Sequence, residues 1–504
     1  MWLAGTWMIV AAASALATPL DFLPVGDPLE DEIRLLEVIG APVRLPRLGT
    51  RPLQIVDLPV SQLPDSGAAA ISSRRLLRAL ARDREIPGDV SGTSRRWMQL
   101  EYPDDQRLEL SVGLEGGGRV AEGADPELAT GTGLHARVAA QVGRWVAFSH
   151  LIVGHFEDGT RFAERILPNA DAVLHSDETY LAYTGQDERW GVFLGRGRWN
   201  WGPGQEGSLV LSRTSAALTA LGYRFRIEPL RADGMVLNAT LQGAAGEWLA
   251  AHRLEWQPRD GLRLGVSEAA RYRADSWQPL YALGLLPYAL TQDLLIRDEP
   301  DSARVLRNNV IAAVDAAWRI VPGSRVYGEF LIDDLKTDNS QALGKYAYQL
   351  GWEGVGTVRG RRVSWGSEFT RLSRFVYTSF FGRSFEADGA PLGFPTGPDA
   401  RRVRVRVAWD PDLSWQVFGA ASRTERGESG LDVPYVPGSP PVDSGRFAGV
   451  VEVTRDAEIG LRYWPSSGCD MAAAVGYRWI DRVDHVPGRD TRDANARVQL
   501  RWTR

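Results

Sequence analysis

From about Ser94 to its end, the chain alternates apolar and polar side chains with a period of two, and many of the polar partners are arginines. In Arg402 to Trp409, Val403, Val405, Val407 and Trp409 fall on one face, while Arg402, Arg404 and Arg406 fall on the other. Successive side chains of a strand point to opposite faces, so the segment reads as a β-strand with one aliphatic and one guanidinium face. The pattern recurs: Tyr223, Phe225 and Ile227 alternate with Arg224, Arg226 and Glu228, and Leu262, Leu264 and Val266 with Arg263, Gly265 and Ser267. The last strand sets Ala496, Val498, Leu500 and Trp502 against Arg497, Gln499 and Arg501. An arginine facing lipid at the bilayer midplane costs about 2–4 kcal/mol, so in a membrane these arginines must turn inward, toward water or one another. The chain is therefore expected to be all-β, a transmembrane antiparallel barrel with a charged lumen. A soluble sandwich with its arginines in bulk solvent is the alternative.

The connections favour the barrel. Tight turns are read at Arg231 to Gly234, Arg259 to Gly261, Pro322 to Ser324, Arg359 to Arg361, Asp410 to Asp412 and Pro465 to Gly468. Between many of them lie much longer stretches, notably Ala274 to Arg307, Tyr377 to Ala400 and Glu425 to Gly445. Short turns at one end and long loops at the other are an outer-membrane pattern, with an expected count of about 16 to 18 strands. Tryptophan, at 18 residues, outnumbers both phenylalanine and tyrosine, as the aromatic girdles of such a barrel require. No later window is apolar enough for a spanning helix of roughly 20 residues.

The amino-terminal region is organised differently. Trp2 to Ala15 is apolar and leads into Ala15-Leu16-Ala17, so residues 1–17 read as a signal peptide. No Lys or Arg precedes the run, so either the true start lies upstream or the signal is atypical. Residues 18–92 read as a small periplasmic helical cap. One helix is expected over Asp27 to Ile39 and another over Ser72 to Arg84, with Asp27 and Ser72 as N-caps and a proline-punctuated stretch, Pro42 to Pro64, between them. Residues 93–504 form the barrel, and the cap is too short to bury a large core without packing on it.

Several functions are disfavoured. A net charge of −5 does not argue for nucleic acid. The lone Cys469, in a turn-like context, excludes a disulfide framework. His135, His150, His155, His175, His252 and His485 lack metal-ligand spacing, and no nucleophile elbow or P-loop is present. Asp333 and Asp334 point to opposite strand faces and make a poor catalytic pair. No enzyme activity, metal or cofactor is expected.

At Trp199 to Ser212 the chain reads WNWGPGQEGSLVLS. This resembles the signature of the Wzi family of outer-membrane capsule-assembly proteins, in which a WGPG turn leads into a Gly-Ser-Leu strand ending in Ser. Trp201, Gly202, Pro203, Gly204, Gly207, Ser208, Leu209, Leu211 and Ser212 match, whereas Asn200 departs from the aromatic residue common there. Asn309 to Asp334 is similar to the family's strand, turn and Tyr-Gly-x-x-x-x-Asp pattern. The ending Trp502-Thr503-Arg504 departs from the terminal aromatic usual in such barrels. The resemblance implies about 18 strands, a periplasmic helical cap, an outer-membrane location in a Gram-negative cell and a role in attaching or organising exported polysaccharide.

The candidate polysaccharide-binding residues are Trp199, Trp201, Gly202, Pro203, Gly204 and Ser208 on the turn, with Tyr327, Glu329 and Asp333 on one strand face. Indoles stack on sugar rings, and glycines permit close backbone approach. The competing reading is that both tryptophans only fill the barrel and that the strand residues are solvated lumen wall. Tyr377, Phe380 and Phe381 form a weaker candidate platform. Expected partners are surface polysaccharide, outer-membrane lipid and, more remotely, the polysaccharide export machinery. A passive porin or uptake channel is the functional alternative.

Overall fold

The computed structural model describes residues 20–58, 62–80, 98–102, 106–122, 127–157, 173–241, 246–275, 277–298, 308–334, 344–379, 384–436, 439–440, 442–466 and 468–503. The expected signal peptide, together with Phe380 and Phe381, lies outside these residues. Among the described residues, eighteen antiparallel strands close into a barrel. They are β1 (Gln106–Glu122), β2 (Glu127–Val142), β3 (Trp145–Phe156), β4 (Val173–Thr184), β5 (Trp190–Gly197) and β6 (Leu218–Ile227). Next come β7 (Ala232–Thr240), β8 (Glu247–Arg259), β9 (Leu262–Arg273), β10 (Asn309–Val321), β11 (Ser324–Asp334) and β12 (Lys345–Val358). The last are β13 (Arg361–Leu372), β14 (Ala400–Asp410), β15 (Trp415–Arg426), β16 (Glu452–Ser466), β17 (Cys469–Asp481) and β18 (Thr491–Thr503). Each strand pairs with its sequence neighbours, and β18 returns to β1 from Ala494↔Glu122 to Thr503↔Gly113. The short strand Met98–Tyr102 pairs with the start of β1, just beyond where β18 ends.

The expected faces are the observed ones. Val403, Val405, Val407 and Trp409 are exposed on the outer wall, as are Phe225, Val266, Val498 and Leu500. Trp145, Trp190, Trp256, Trp318, Trp409, Trp415 and Trp502 are exposed on that wall near the short-turn end, forming an aromatic girdle. The short turns cluster at this end, and the strand ends that lead into the longer connections, those of β3, β5, β9, β13 and β15, lie at the other. One turn differs from its expected place. Glu228–Leu230 and Arg231 make it, and Ala232 to Gly234 already pair in β7.

Among the described residues, two α-helices belong to the amino-terminal segment. Helix α1 (Pro28–Ile39) starts at Asp27, whose carboxylate accepts from Leu29 N at 2.9 Å, and stops at the left-handed Gly40. Helix α2 (Ala70–Leu80) begins before Ser72, so Ser72 is not its N-cap. The Ser72 hydroxyl instead donates to Glu32 at 2.6 Å, because the acidic face of α1 lies against it. The acids of α1 also meet arginines on inward positions of the wall, so α1 is seated in the lumen mouth at the short-turn end rather than resting on the rim. Glu37 pairs with Arg263 and Arg325, both at 3.0 Å, and Asp31 lies 3.8 Å from Arg406.

Candidate functional site

The connection after β5 does not reach outward. It folds into the lumen and meets the amino-terminal segment there. Asn200 and Trp201 pair antiparallel with Arg51 and Thr50, and Gly202 N donates to Gly49 O at 2.9 Å. The following residues do not form the expected Gly-Ser-Leu strand. They make a compact loop closed by one bridge, Trp201 to Leu211, with Trp201 N donating to Leu211 O at 2.9 Å. Asn200 ties this loop shut: its side-chain amide donates to Ser208 Oγ at 2.9 Å, and its carbonyl accepts from Arg213 N at 3.0 Å. An aromatic residue at this position would make neither bond. Gly202, at φ 142°, is required twice over, since a Cβ there would sit 2.7 Å from Glu329 Oε2 and 2.8 Å from Ser208 Oγ.

The wall receives the loop with polar groups. Glu329 accepts from Leu209 N at 3.1 Å with both oxygens. Glu368 accepts from Gln205 N at 2.8 Å and from the Tyr327 hydroxyl at 2.6 Å, and Gln349 donates to Gly207 O at 3.2 Å. Glu206 receives Arg404 at 2.6 Å and Arg402 at 3.3 Å. Burial alone pushes the Glu206 carboxyl up, but Arg404 and Arg402 outweigh it and hold the group below the ordinary carboxylate range. From the long-loop end, residues 373–379 and 384–399 close over the top. The Tyr377 hydroxyl donates to Leu209 O at 2.6 Å and accepts from Phe394 N at 3.1 Å, and Ser212 N donates to Leu392 O at 2.9 Å. Tyr377 N donates to Asp333.

At the short-turn end the lock is ionic. Glu32 meets Arg362 at 2.8 Å and Arg75 at 2.7 Å, and both arginines also reach Asp410, at 2.7 and 2.9 Å. Arg362 and Asp410 are fully buried. Burial raises the Glu32 carboxyl, yet Arg362 and Arg75 carry it well below the ordinary range. Glu30 goes the other way: burial raises it more than Arg51, at 3.2 Å, lowers it.

The structure thus brings the nine candidate residues into one region, but as supports, all buried except the half-buried Pro203. Trp199 is 2% and Trp201 0% exposed, and Trp199 packs edge-on against Phe193 at 5.2 Å, so neither ring face is open to a sugar in this conformation. Ser208, Tyr327, Glu329 and Asp333 are buried too, each bonded within the protein. Gly202, Pro203 and Gly204 lie against the amino-terminal segment and the wall. Tyr377, taken from sequence as a weak platform, is a buried clasp. Sequence reasoning missed Asn200, Glu206 and the Glu32–Arg362–Arg75–Asp410 lock. The signal for the lock was the acidic run of α1 beside a wall whose cations are almost all arginine. It also missed His135, which lies 2.9 Å from His150 and 3.0 Å from Glu115 on the inner wall. Among the described residues no group of three or more His, Cys, Asp or Glu is placed to hold a metal.

Fold and interior together define a class: an eighteen-stranded outer-membrane-type β-barrel whose lumen is entered from both ends by its own chain. Within that class the fold is that of Wzi from Escherichia coli, described as an outer membrane protein involved in group 1 capsule assembly and as a carbohydrate-binding β-barrel. The match has a TM-score of 0.64 at 14% identity and covers 97% of this chain and 99% of Wzi. At that identity the likeness is one of fold. A variant of OccD1 (OprD) and Pseudomonas aeruginosa OccK8 (OprE) each score 0.43, at 9% and 10% identity, covering 78% and 79% of this chain and 95% and 98% of theirs. They are too distant to bear on function. No protein-family model and no curated protein matches the sequence.

Proposed function

We propose that this protein is an outer-membrane barrel that binds or organises exported polysaccharide at the cell surface without turning it over. The observation that carries this reading is the chain that crosses the lumen. A segment entering from each end meets mid-barrel at Thr50–Arg51 and Asn200–Trp201, which is construction for closure rather than passage. The Wzi fold supports the same reading, since Wzi is a carbohydrate-binding barrel by description. In this account the mature chain follows removal of residues 1–17, residues 18–92 are the periplasmic part and residues 93–504 the barrel. The buried WGPG segment, with Tyr327, Glu329 and Asp333, holds the outer loops in place from beneath, and sugar contact falls to those loops. The export machinery is a further partner on the periplasmic side.

The test pairs two measurements on purified barrel in liposomes: retention of capsule or exopolysaccharide from the source cell, and conductance in planar bilayers. Saturable retention with no steady open current is the expected result. Large ohmic currents without retention would overturn the proposal in favour of a porin.

A further inference from the structure

The stretch Ala274 to Arg307 reads from sequence as an outward loop, yet its described part turns down over the outside of the barrel. It forms helices α3 (Pro279–Leu283) and α4 (Tyr288–Asp298), joined by a turn at Gly284 to Pro287. The turn rests on Val236 and His252, which share the outer face with the exposed Leu254 and Val266. Both positions lie well inside the outer ends of their strands, Thr240 and Glu247. At about 3.4 Å per residue and a strand tilt of about 40°, that is roughly 10 Å or more below the rim. Gly284 is so close to the wall that a Cβ would come within 2.7 Å of Val236.

Backbone that leaves a helix at this depth exposes unpaired carbonyls and N–H groups, which hydrocarbon cannot hydrogen-bond. Here the outer wall supplies their partners. Tyr223 donates its hydroxyl to Leu283 O, and Asn238 donates to Ala282 O at 3.1 Å, which satisfies the end of α3. Glu268 accepts from Tyr288 N at 2.8 Å and Ala289 N at 3.3 Å at the start of α4, and pairs with His252 at 3.1 Å. Polar side chains on the lipid-side face of a strand are otherwise anomalous. These have a function only with the hairpin down. Its tip is apolar, with Leu283 and Leu285 exposed, Leu285 at 78%. That tip is continuous with the aliphatic outer wall around it.

We propose that the α3–α4 hairpin is a re-entrant lipid-contact element, its Leu283–Leu285 tip inserted among acyl chains of the outer leaflet and held there by Tyr223, Asn238 and Glu268. The inference rests on the barrel being membrane-embedded. It goes beyond polysaccharide binding, because it gives the protein a wedge in the leaflet that carries surface glycolipid.

The test uses the full chain with Cys469→Ser, a nitroxide label on Leu285→Cys, and reconstitution in phosphatidylcholine vesicles. Val314→Cys on the outer wall is the lipid reference and Val436→Cys on the outer loops the aqueous one; both native side chains are exposed. Power saturation is expected to place the 285 label with the 314 label, open to oxygen and closed to a water-soluble nickel chelate. Nickel access matching the 436 label would overturn the proposal, and so would exclusion of both reagents, which marks a protein neighbour. Nickel access at 314 as well would show instead that the membrane reading itself has failed. Adding Glu268→Ala is expected to raise nickel access at 285 several-fold while heat-modifiable gel mobility stays that of a folded barrel. Unchanged access in that variant would refute the anchoring role of Glu268.

Discussion

Replacing Glu32 by alanine should loosen the plug without opening the wall. In the native lock two cations, Arg75 and Arg362, face two anions, Glu32 and Asp410, within 2.9 Å. Removing Glu32 leaves both guanidiniums buried and dependent on Asp410 alone. Removing one partner from a buried pair costs about 3–5 kcal/mol, mostly as the uncompensated charge left behind. At about 1.4 kcal/mol per decade, that is roughly two to three and a half decades in the opening equilibrium of α1. The barrel strands keep every ladder bond, so the cost falls on the docking of α1 and α2. Amide hydrogen exchange of Ile33 to Ile39 in the reconstituted protein reads it directly, with exchange expected to rise about a hundredfold or more. The double variant Glu32→Met with Arg362→Met leaves Arg75 balanced by Asp410 and should recover most of the protection. Exchange in E32A within tenfold of the native rate, or a double variant as loose as E32A, would refute the view that charge balance in this lock holds the plug.

Trp201→Ala, alone or with Trp199→Ala, should lower barrel yield and melting temperature by removing a fully buried indole, a loss of about 3–5 kcal/mol. Polysaccharide retained per folded barrel should be unchanged; a falling ratio at full yield would make these indoles direct sugar contacts. Gly202→Ala should cost about 1–3 kcal/mol or more, measured as melting temperature, because both its φ and its neighbours exclude a Cβ. Acid should release the plug. Glu32 and Glu206 are held below the ordinary glutamate value of 4.5, so their stabilisation is complete above that value and is lost as pH falls through their lower folded values. Glu30, raised by burial, runs opposite and relieves a cost as pH falls through its own higher value. Protection of the α1 amides, corrected for the pH dependence of intrinsic exchange, should therefore fall mainly below 4.5, and constant protection from pH 7 to pH 3 would contradict the assignment.

What sequence conveyed well was anything fixed by local rules. Alternation of side chains placed Val403 to Trp409 outward and Arg402 to Arg406 inward because a strand has only two faces. The cap at Asp27 was readable because a carboxylate two residues before Leu29 can reach its N–H. What it did not convey were contacts between residues far apart in the chain. Nothing near Ser72 says that its hydroxyl is taken by Glu32 or that the helix starts upstream of it. Nothing near Trp201 says that a neighbouring strand will be Thr50–Arg51, which turns a plausible sugar platform into a buried clasp. The descending hairpin was hidden for the same reason, since Tyr223, Asn238 and Glu268 look like ordinary polar interruptions until Ala282 to Ala289 lie over them.

The mid-barrel pairing of Thr50–Arg51 with Asn200–Trp201 has a mechanical consequence. A pull on the outer loops passes through Tyr377 to Leu209, through Leu211 to Trp201, and across Gly202 to Gly49. From there it reaches Arg51 and, through Glu30, helix α1 in the lumen mouth at the short-turn end. The load runs along hydrogen bonds and one ion pair inside the cylinder, while the wall only frames it. The molecule is built less like a pipe than like a rivet, with a shank of its own chain joining two heads. Any load on the outer head would be felt by the helices seated at the short-turn end, because the shank couples the two by direct bonds.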